Sequence, residues 1–460
     1  MKVSAGRVAS ALFLVFACVA ALAIGLSFVL TEESLQGGLL ARLPQCPAKL
    51  AGGACAMCGM SHSFVQMSRG DFGAAAVSNA FGPWLYLLFV ALSVFYFPTT
   101  ILFGAGSVNR LPEELAPRGV RRPLLVTDAG LARTPVFEKV AALVPNAPAF
   151  TSVEPNPTEQ NVLDGVKAYR EHGCDGIIGL GGGSPLDAAK AIRLKATHEA
   201  PLTEYDDLLD GANRISSNLP PFLAITTTAG TGSEVSRSTV ITIRKTGRKT
   251  VIFSPHLIPS LAIADPELTL ALPPHITAGT GMDAFTHNVE AYISRGFHPI
   301  CDAIALEGAR LAWENLPRVM ERPGDLEARS NMLLSSIMGA IAFQKGLGAT
   351  HSLAHPLSSD FGMHHGTANA VLLPFVIEFN REPVAERLMR LSREFGGGDV
   401  AERVRELNRA ACIAPRLRDY GVTEAALPAL ADKAIQDGCH QLNPRPCTRE
   451  DLLALYRAAH

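Results

Sequence analysis

Two short stretches hold side chains at the spacing of metal ligands. Gly346 to Gly366 carries His351, His355, His364 and His365, and Gly281 to Tyr292 carries Asp283 and His287. If both stretches are helical, Asp283 and His287 share a face, as do His351 and His355, because positions i and i+4 stack. A lone histidine is more often a core or capping residue than a ligand. Two clusters with ligand spacing in one chain favour a site. One carboxylate with several imidazoles suits iron or zinc better than magnesium or calcium. A metal of that kind polarises an alcohol or carbonyl oxygen.

The residues before these clusters read as the frame for a second ligand. Asp175 to Lys190 reads as an apolar strand, then Gly181, Gly182, Gly183 and Ser184, then an alanine-rich helix through Asp187. Glycines let backbone N–H groups approach a diphosphate, and a helix N-terminus favours the anion. Leu223 to Glu234 repeats strand-then-loop, with Thr227 and Thr228 as polar loop residues. Arg121 to Asp128 is a buried strand ending in an acid. Such an acid commonly bonds the adenosine ribose hydroxyls; the competing reading of Asp128 is a helix cap. Phe97 to Gly106 reads as an edge strand closing in a glycine turn. From Ile276 the periodicity becomes helical, with helices from His298 to about Leu311 and from Leu326 to Phe343. Ser358 to Met363 reads as a variable loop.

Three motifs together resemble the iron-containing, group III alcohol dehydrogenases. They are Gly281-Met-Asp283-Ala-Phe-Thr-His287-Asn-Val-Glu290-Ala-Tyr292, His355-Pro-Leu with His365-Gly366 ten residues on, and Gly181-Gly-Gly-Ser184 leading to Asp187 and Lys190. The resemblance covers residues 96–460, nearly four-fifths of the chain. It implies Asp283, His287, His351 and His365 as metal ligands. His355 becomes a non-ligand catalytic histidine, and His364 has no role. Spacing alone does not choose between His364 and His365; the interval from His355 and the following Gly366 favour His365. The resemblance also implies cofactor contacts from Asp128, Asn156, Gly181, Gly182, Gly183, Ser184, Asp187, Thr227, Thr228 and Lys249. The charge of Asp128 would repel a 2′-phosphate, which favours NAD over NADP. The implied metal is Fe2+, with Zn2+ as the other choice. The implied fold is an α/β Rossmann-like dinucleotide-binding domain over 96–270 followed by an all-α metal-binding domain over 271–460, of the dehydroquinate-synthase-like kind. The implied reaction is hydride transfer between a small alcohol or aldehyde and the nicotinamide, with His355 relaying the proton.

Residues 1–95 are different. Val8 to Thr31 carries no charged residue, and neither does Phe72 to Asn109. Two transmembrane helices are expected, at about 8–31 and 80–97, each able to span about 30 Å of hydrocarbon, the second only just. Between them Cys46, Cys55 and Cys58 lie in one loop, open to redox, metal or disulfide chemistry. The segment from about 40 to 95 resembles a small uncharacterised bacterial membrane domain. Lys2 and Arg7 flank the first run, and Arg110, Arg118, Arg121 and Arg122 follow the second. The positive-inside rule then places both ends, and the enzyme, on the cytoplasmic side of the inner membrane. If this segment is absent from the mature protein, the enzyme is cytoplasmic.

A net charge of −2 over 460 residues gives no footprint for nucleic acid. The six other cysteines are scattered and suggest no disulfide framework. The resemblance implies a homodimer paired through the exposed first strand, which here directly follows an expected membrane span. Rival readings on the same fold are a polyol dehydrogenase, a metal-free maleylacetate-type reductase and a hydroxyacid–oxoacid transhydrogenase. A complete ligand set argues against the metal-free enzyme. Rivals of another class are a membrane module with a degenerate dehydrogenase as docking domain, and an accidental fusion.

Overall fold

The computed structural model describes residues 99–244 and 248–460. The two expected transmembrane helices and the cysteine loop lie outside the described residues. Residues 98–460 form one compact unit.

The first half is an open sheet between helices. Its strands are β1 (Thr100–Phe103), β2 (Pro123–Asp128), β3 (Ala149–Val153), β4 (Gly176–Gly181), β5 (Phe222–Thr226) and β8 (Leu261–Ala264), all parallel, in the order β1-β8-β5-β4-β2-β3. Central strands β4 and β5 are buried along their whole length. That is why both read as continuous apolar runs and not as alternating ones. Helices α1 (Leu111–Leu115) and α2 (Pro135–Leu143) cover one face; α3 (Glu159–Glu171) and α4 (Gly183–Thr197) cover the other. The chain reverses direction across the sheet between β2 and β4, so a crevice opens at their carboxyl ends. A separate antiparallel hairpin, β6 (Ser238–Ile243) with β7 (Arg248–Phe253), follows the second loop. The sequence reading assigned no hairpin there.

The second half is helical: α5 (Pro274–Ile293), α6 (Pro299–Glu321), α7 (Leu326–Ala342), α8 (Ala349–Phe361), α9 (His365–Phe379), α10 (Ala385–Glu394), α11 (Val400–Ala410), α12 (Leu427–Ala434) and α13 (Arg449–Ala459). Helix α6 runs about three turns beyond the expected Leu311. Ser358 to Phe361, read as loop, is the last turn of α8, which stops at Gly362 in the left-handed region (φ 63°). Among the described residues no single helix is long and apolar enough to cross a membrane.

Helix α5 is the axis of this half: 16 of its 20 residues are buried, so its polar side chains must be satisfied inside the protein. Three contacts place its neighbours. Helix α9 crosses α5 at Gly279 and Gly366, where a Cβ on Gly366 would run into the Gly279 carbonyl oxygen and press on Asp283 Cβ. The first turn of α8 is capped from outside: Glu290 of α5 accepts from Gly348 N (3.1 Å) and Thr350 N (2.8 Å), and Asn443 Oδ1 accepts from Ala349 N (3.2 Å). Tyr456 of α13 donates to the Leu353 carbonyl at 2.6 Å.

Gly366→Ala is expected to destabilise the fold by about 1–3 kcal/mol through overpacking and to loosen any metal held by Asp283. Denaturant unfolding of the two proteins side by side, with metal content by mass spectrometry, checks both.

Candidate metal and cofactor site

Helices α5, α8 and α9 bring the expected ligands to one place. Asp283 Oδ1 lies 3.8 Å from His287 Nε2 and 3.6 Å from His365 Nε2. The His287 and His351 rings stack at 4.8 Å, and the ligand atoms of Asp283, His287 and His351 fall within 4.8 Å of one another. His365 joins them from the first position of α9, while its neighbour His364 is exposed. The local reasons are plain. One helical turn separates Asp283 from His287, and His351 and His365 start helices whose first turns point inward at α5.

The electrostatics suit a cation. Burial alone pushes Asp283 up, but His287 and His365 outweigh it and hold the carboxyl at about 2. Burial lowers His287 to about 4 and pushes His365 well below the usual range. The carboxylate is therefore ionised and these two imidazoles are neutral, the forms that bind metal. His351 is different: burial opposes its protonation, yet Glu290 raises it overall. Glu290 Oε2 lies 2.6 Å from His351 Nδ1. The proton on Nδ1 thus points at Glu290 and leaves Nε2 facing the site, the carboxylate–histidine–metal arrangement. Asn369, one turn beyond His365, donates to Asp283 Oδ1 at 2.9 Å, with His351 Nε2 and His365 Nε2 at 3.4 and 3.2 Å. The donor set therefore fits a divalent first-row metal.

His355 is not among those donors. Its ring stacks on His365 at 5.2 Å, and its Nδ1 lies 2.8 Å from Asp437 Oδ2. Asp437 is itself held: Oδ1 accepts from Ser352 Oγ (2.7 Å) and from Cys439 N (2.8 Å). Burial opposes its ionisation, but His355 and these bonds hold the carboxyl far below its ordinary value. Sequence reasoning missed Asp437 and Asn369 and gave Glu290 no role. Glu290 had a local signal, three residues after His287 on the same face. Asp437 lies 82 residues from His355 and had none.

The dinucleotide residues gather at the sheet's carboxyl edge. Gly181 ends β4 with φ 147°, where a side chain would strike Pro185. Gly182 caps α4, and Gly183 and Ser184 open it. Thr228 lies over Gly182, and Thr227 N donates to the Gly181 carbonyl at 3.1 Å, so the threonine loop sits on the glycine loop. Asn156, in the left-handed region, reaches the same place through Ser184 Oγ, 3.4 Å from its N–H. Lys249 lies within electrostatic reach of both Asp187 and His365.

Two expected cofactor residues have other partners. Asp187 turns inward: Oδ1 accepts from Ser233 Oγ (2.6 Å) and Oδ2 from Val240 N (3.0 Å), beside buried Lys190. A carboxylate facing a diphosphate would repel it; here it ties α4 to the threonine loop and β6. Asp128 Oδ1 accepts from Gly130 N and Leu131 N, both at 2.8 Å, and so closes the turn after β2.

Two family models divide the unit as the geometry does: "Iron-containing alcohol dehydrogenase" over residues 98–266, and "Fe-containing alcohol dehydrogenase family, C-terminal" over 277–460. The chain belongs to the iron-containing alcohol dehydrogenase family. It is 40% identical over 374 residues to a 4-hydroxybutyrate dehydrogenase of Cupriavidus necator, a match spanning 78% of this chain and 98% of the relative. A crystal structure of a 1,3-propanediol oxidoreductase superposes with TM-score 0.76 at 37% identity, covering 80% of this chain and all of that one. A sulfoacetaldehyde reductase from Bifidobacterium kashiwanohense, solved in complex with NAD+, gives TM-score 0.74 at 29% identity over 80% of this chain and 98% of that one. Residues 46–93 match a family of unknown function. As an iron-containing alcohol dehydrogenase, the chain is an NAD(H)-linked oxidoreductase that uses a divalent metal.

Glu290→Gln is expected to weaken metal binding by about 10–100-fold, read by competition with a chromophoric chelator. An unchanged affinity would remove Glu290 from the site.

Proposed function

We propose that this iron-containing alcohol dehydrogenase interconverts a small primary alcohol and its aldehyde, from a catalytic unit held at the cytoplasmic face of the inner membrane. The observation that carries the chemistry is the convergence of Asp283, His287, His351 and His365, with no donor of the set missing. The substrate class draws support from relatives named for 4-hydroxybutyrate and for 1,3-propanediol, both chains with a terminal hydroxyl. The anchor draws support from the charge-free runs before residue 98 and the arginines that follow them.

A metal held by those four residues supplies a Lewis acid that makes the substrate hydroxyl more acidic. The remaining work belongs to this chain. Glu290 keeps the His351 Nδ1 proton and so fixes its ring. His355, with its Nδ1 proton on Asp437, offers Nε2 to the hydroxyl proton. The Asp437 carboxylate stabilises the imidazolium that results. The backbone of Gly181–Ser184 and the α4 N-terminus would hold the diphosphate of the bound dinucleotide. The edge position of β1 and its exposed Phe103 support a homodimer paired through this strand.

The test is NAD-linked turnover of the full-length chain with a panel of primary alcohols and aldehydes. About one iron or zinc per chain and NAD-dependent turnover are expected, both lost in His287→Ala. His355→Ala should keep its metal and lose about 100-fold or more in kcat. Metal-free protein without turnover would sink the reading. Separately, one full-length product is expected in the membrane fraction; a shorter soluble product would remove the anchor.

A further inference from the structure

Beside the four metal ligands the structure gathers a second set of donors that shares none of them. His355, Asp437 and Cys439 each offer one ligand atom within 4.8 Å of the others, and all three are partly exposed. They differ in softness: imidazole nitrogen, carboxylate oxygen, sulfur. Asp437 is preorganised, with Ser352 Oγ and Cys439 N on Oδ1, so that Oδ2 faces His355 Nδ1. We propose that His355, Asp437 and Cys439 bind a thiophilic divalent cation, such as zinc or cadmium, and that this cation inhibits the enzyme.

Nitrogen, oxygen and sulfur are the donor types that zinc takes, at about 2.0–2.3 Å, with three protein ligands and an open fourth position when the site faces solvent. Tetrahedral donors at that range lie about 3.3–3.8 Å apart, so a small rotation of Cys439 closes the set. The charges balance. The carboxylate is already ionised, the thiol releases one proton to solvent, and the two negative charges meet the two positive charges of the cation. Burial first, and the Asp437 charge second, push the Cys439 thiol up, so without a cation it stays a protonated, poor nucleophile. The cation removes the second of these causes.

The consequence for turnover rests on the reading of His355 as proton relay. A cation on Nδ1 displaces that proton to Nε2, and an Nε2–H accepts nothing from a substrate hydroxyl. The site itself stands on the three side chains alone.

The experiment adds zinc chloride to the full-length, iron-loaded enzyme, measuring turnover and metal content together. Inhibition with iron retained and about one extra zinc per chain is expected. Cys439→Ser, and Cys439→Ala should the serine variant fold poorly, should turn over without added zinc. Either should need at least about ten-fold more zinc for half inhibition. Cadmium gives a readout independent of turnover: its ultraviolet thiolate band should be larger in the wild type than in the variant by one site. Equal zinc sensitivity in both proteins, iron loss matching zinc gain, or identical cadmium bands would overturn the proposal. Absence of turnover before zinc is added would instead count against the catalytic reading and leave the cadmium comparison to decide this one.

Discussion

Charged and polar groups are sunk into the middle of a helical core, and the arrangement of that core follows from keeping them satisfied. Asp283 is 4% exposed and Glu290 1%, on a helix buried nearly all round. A buried carboxylate without partners costs several kcal/mol. Asp283 therefore needs His287, His365 and Asn369 around it, and Glu290 needs the first turn of α8. The two acids thereby fix where α8 and α9 begin. Those helices are placed by electrostatics at their first turns and by apolar packing along the rest of their length.

The two halves divide the labour by the kind of polarity each provides. The sheet half offers uncharged donors, the glycine-loop amides and the α4 N-terminus, and turns its own acid Asp187 away from the crevice. The helical half offers a buried anion and neutral imidazoles. A negatively charged dinucleotide and a positively charged metal are thus met by different polarity, and Lys249, on the hairpin β6–β7, acts electrostatically on a residue of each half.

Much of this was legible in the residues. The i, i+4 pairs on α5, the glycine loop between an apolar strand and an alanine-rich helix, and the change from strand to helical periodicity near residue 276 each follow from local geometry. What was hidden depends on distant chain. Nothing near His355 points to Asp437, because the hydrogen bond links segments 82 residues apart. The inward turn of Asp187 depends on Ser233 and Val240. The motif already favoured His365 over His364, and the packing of α9 on α5 brings His365 Nε2 to 3.6 Å from Asp283 Oδ1. The turn from Ser358 to Phe361 looked like loop because polar residues crowd it. Its helix continues because Leu357 is in the core and Phe361, one turn on, packs against it.

The contacts that complete α8 have a consequence for the order of events during synthesis. Asn443 caps its first turn, Tyr456 holds its Leu353 carbonyl, and Asp437 orients its His355. All three residues emerge from the ribosome long after Asp283 and His287. The helix that carries His351 therefore lacks its supports until the last segment of the chain has been made, and the metal pocket is complete only then.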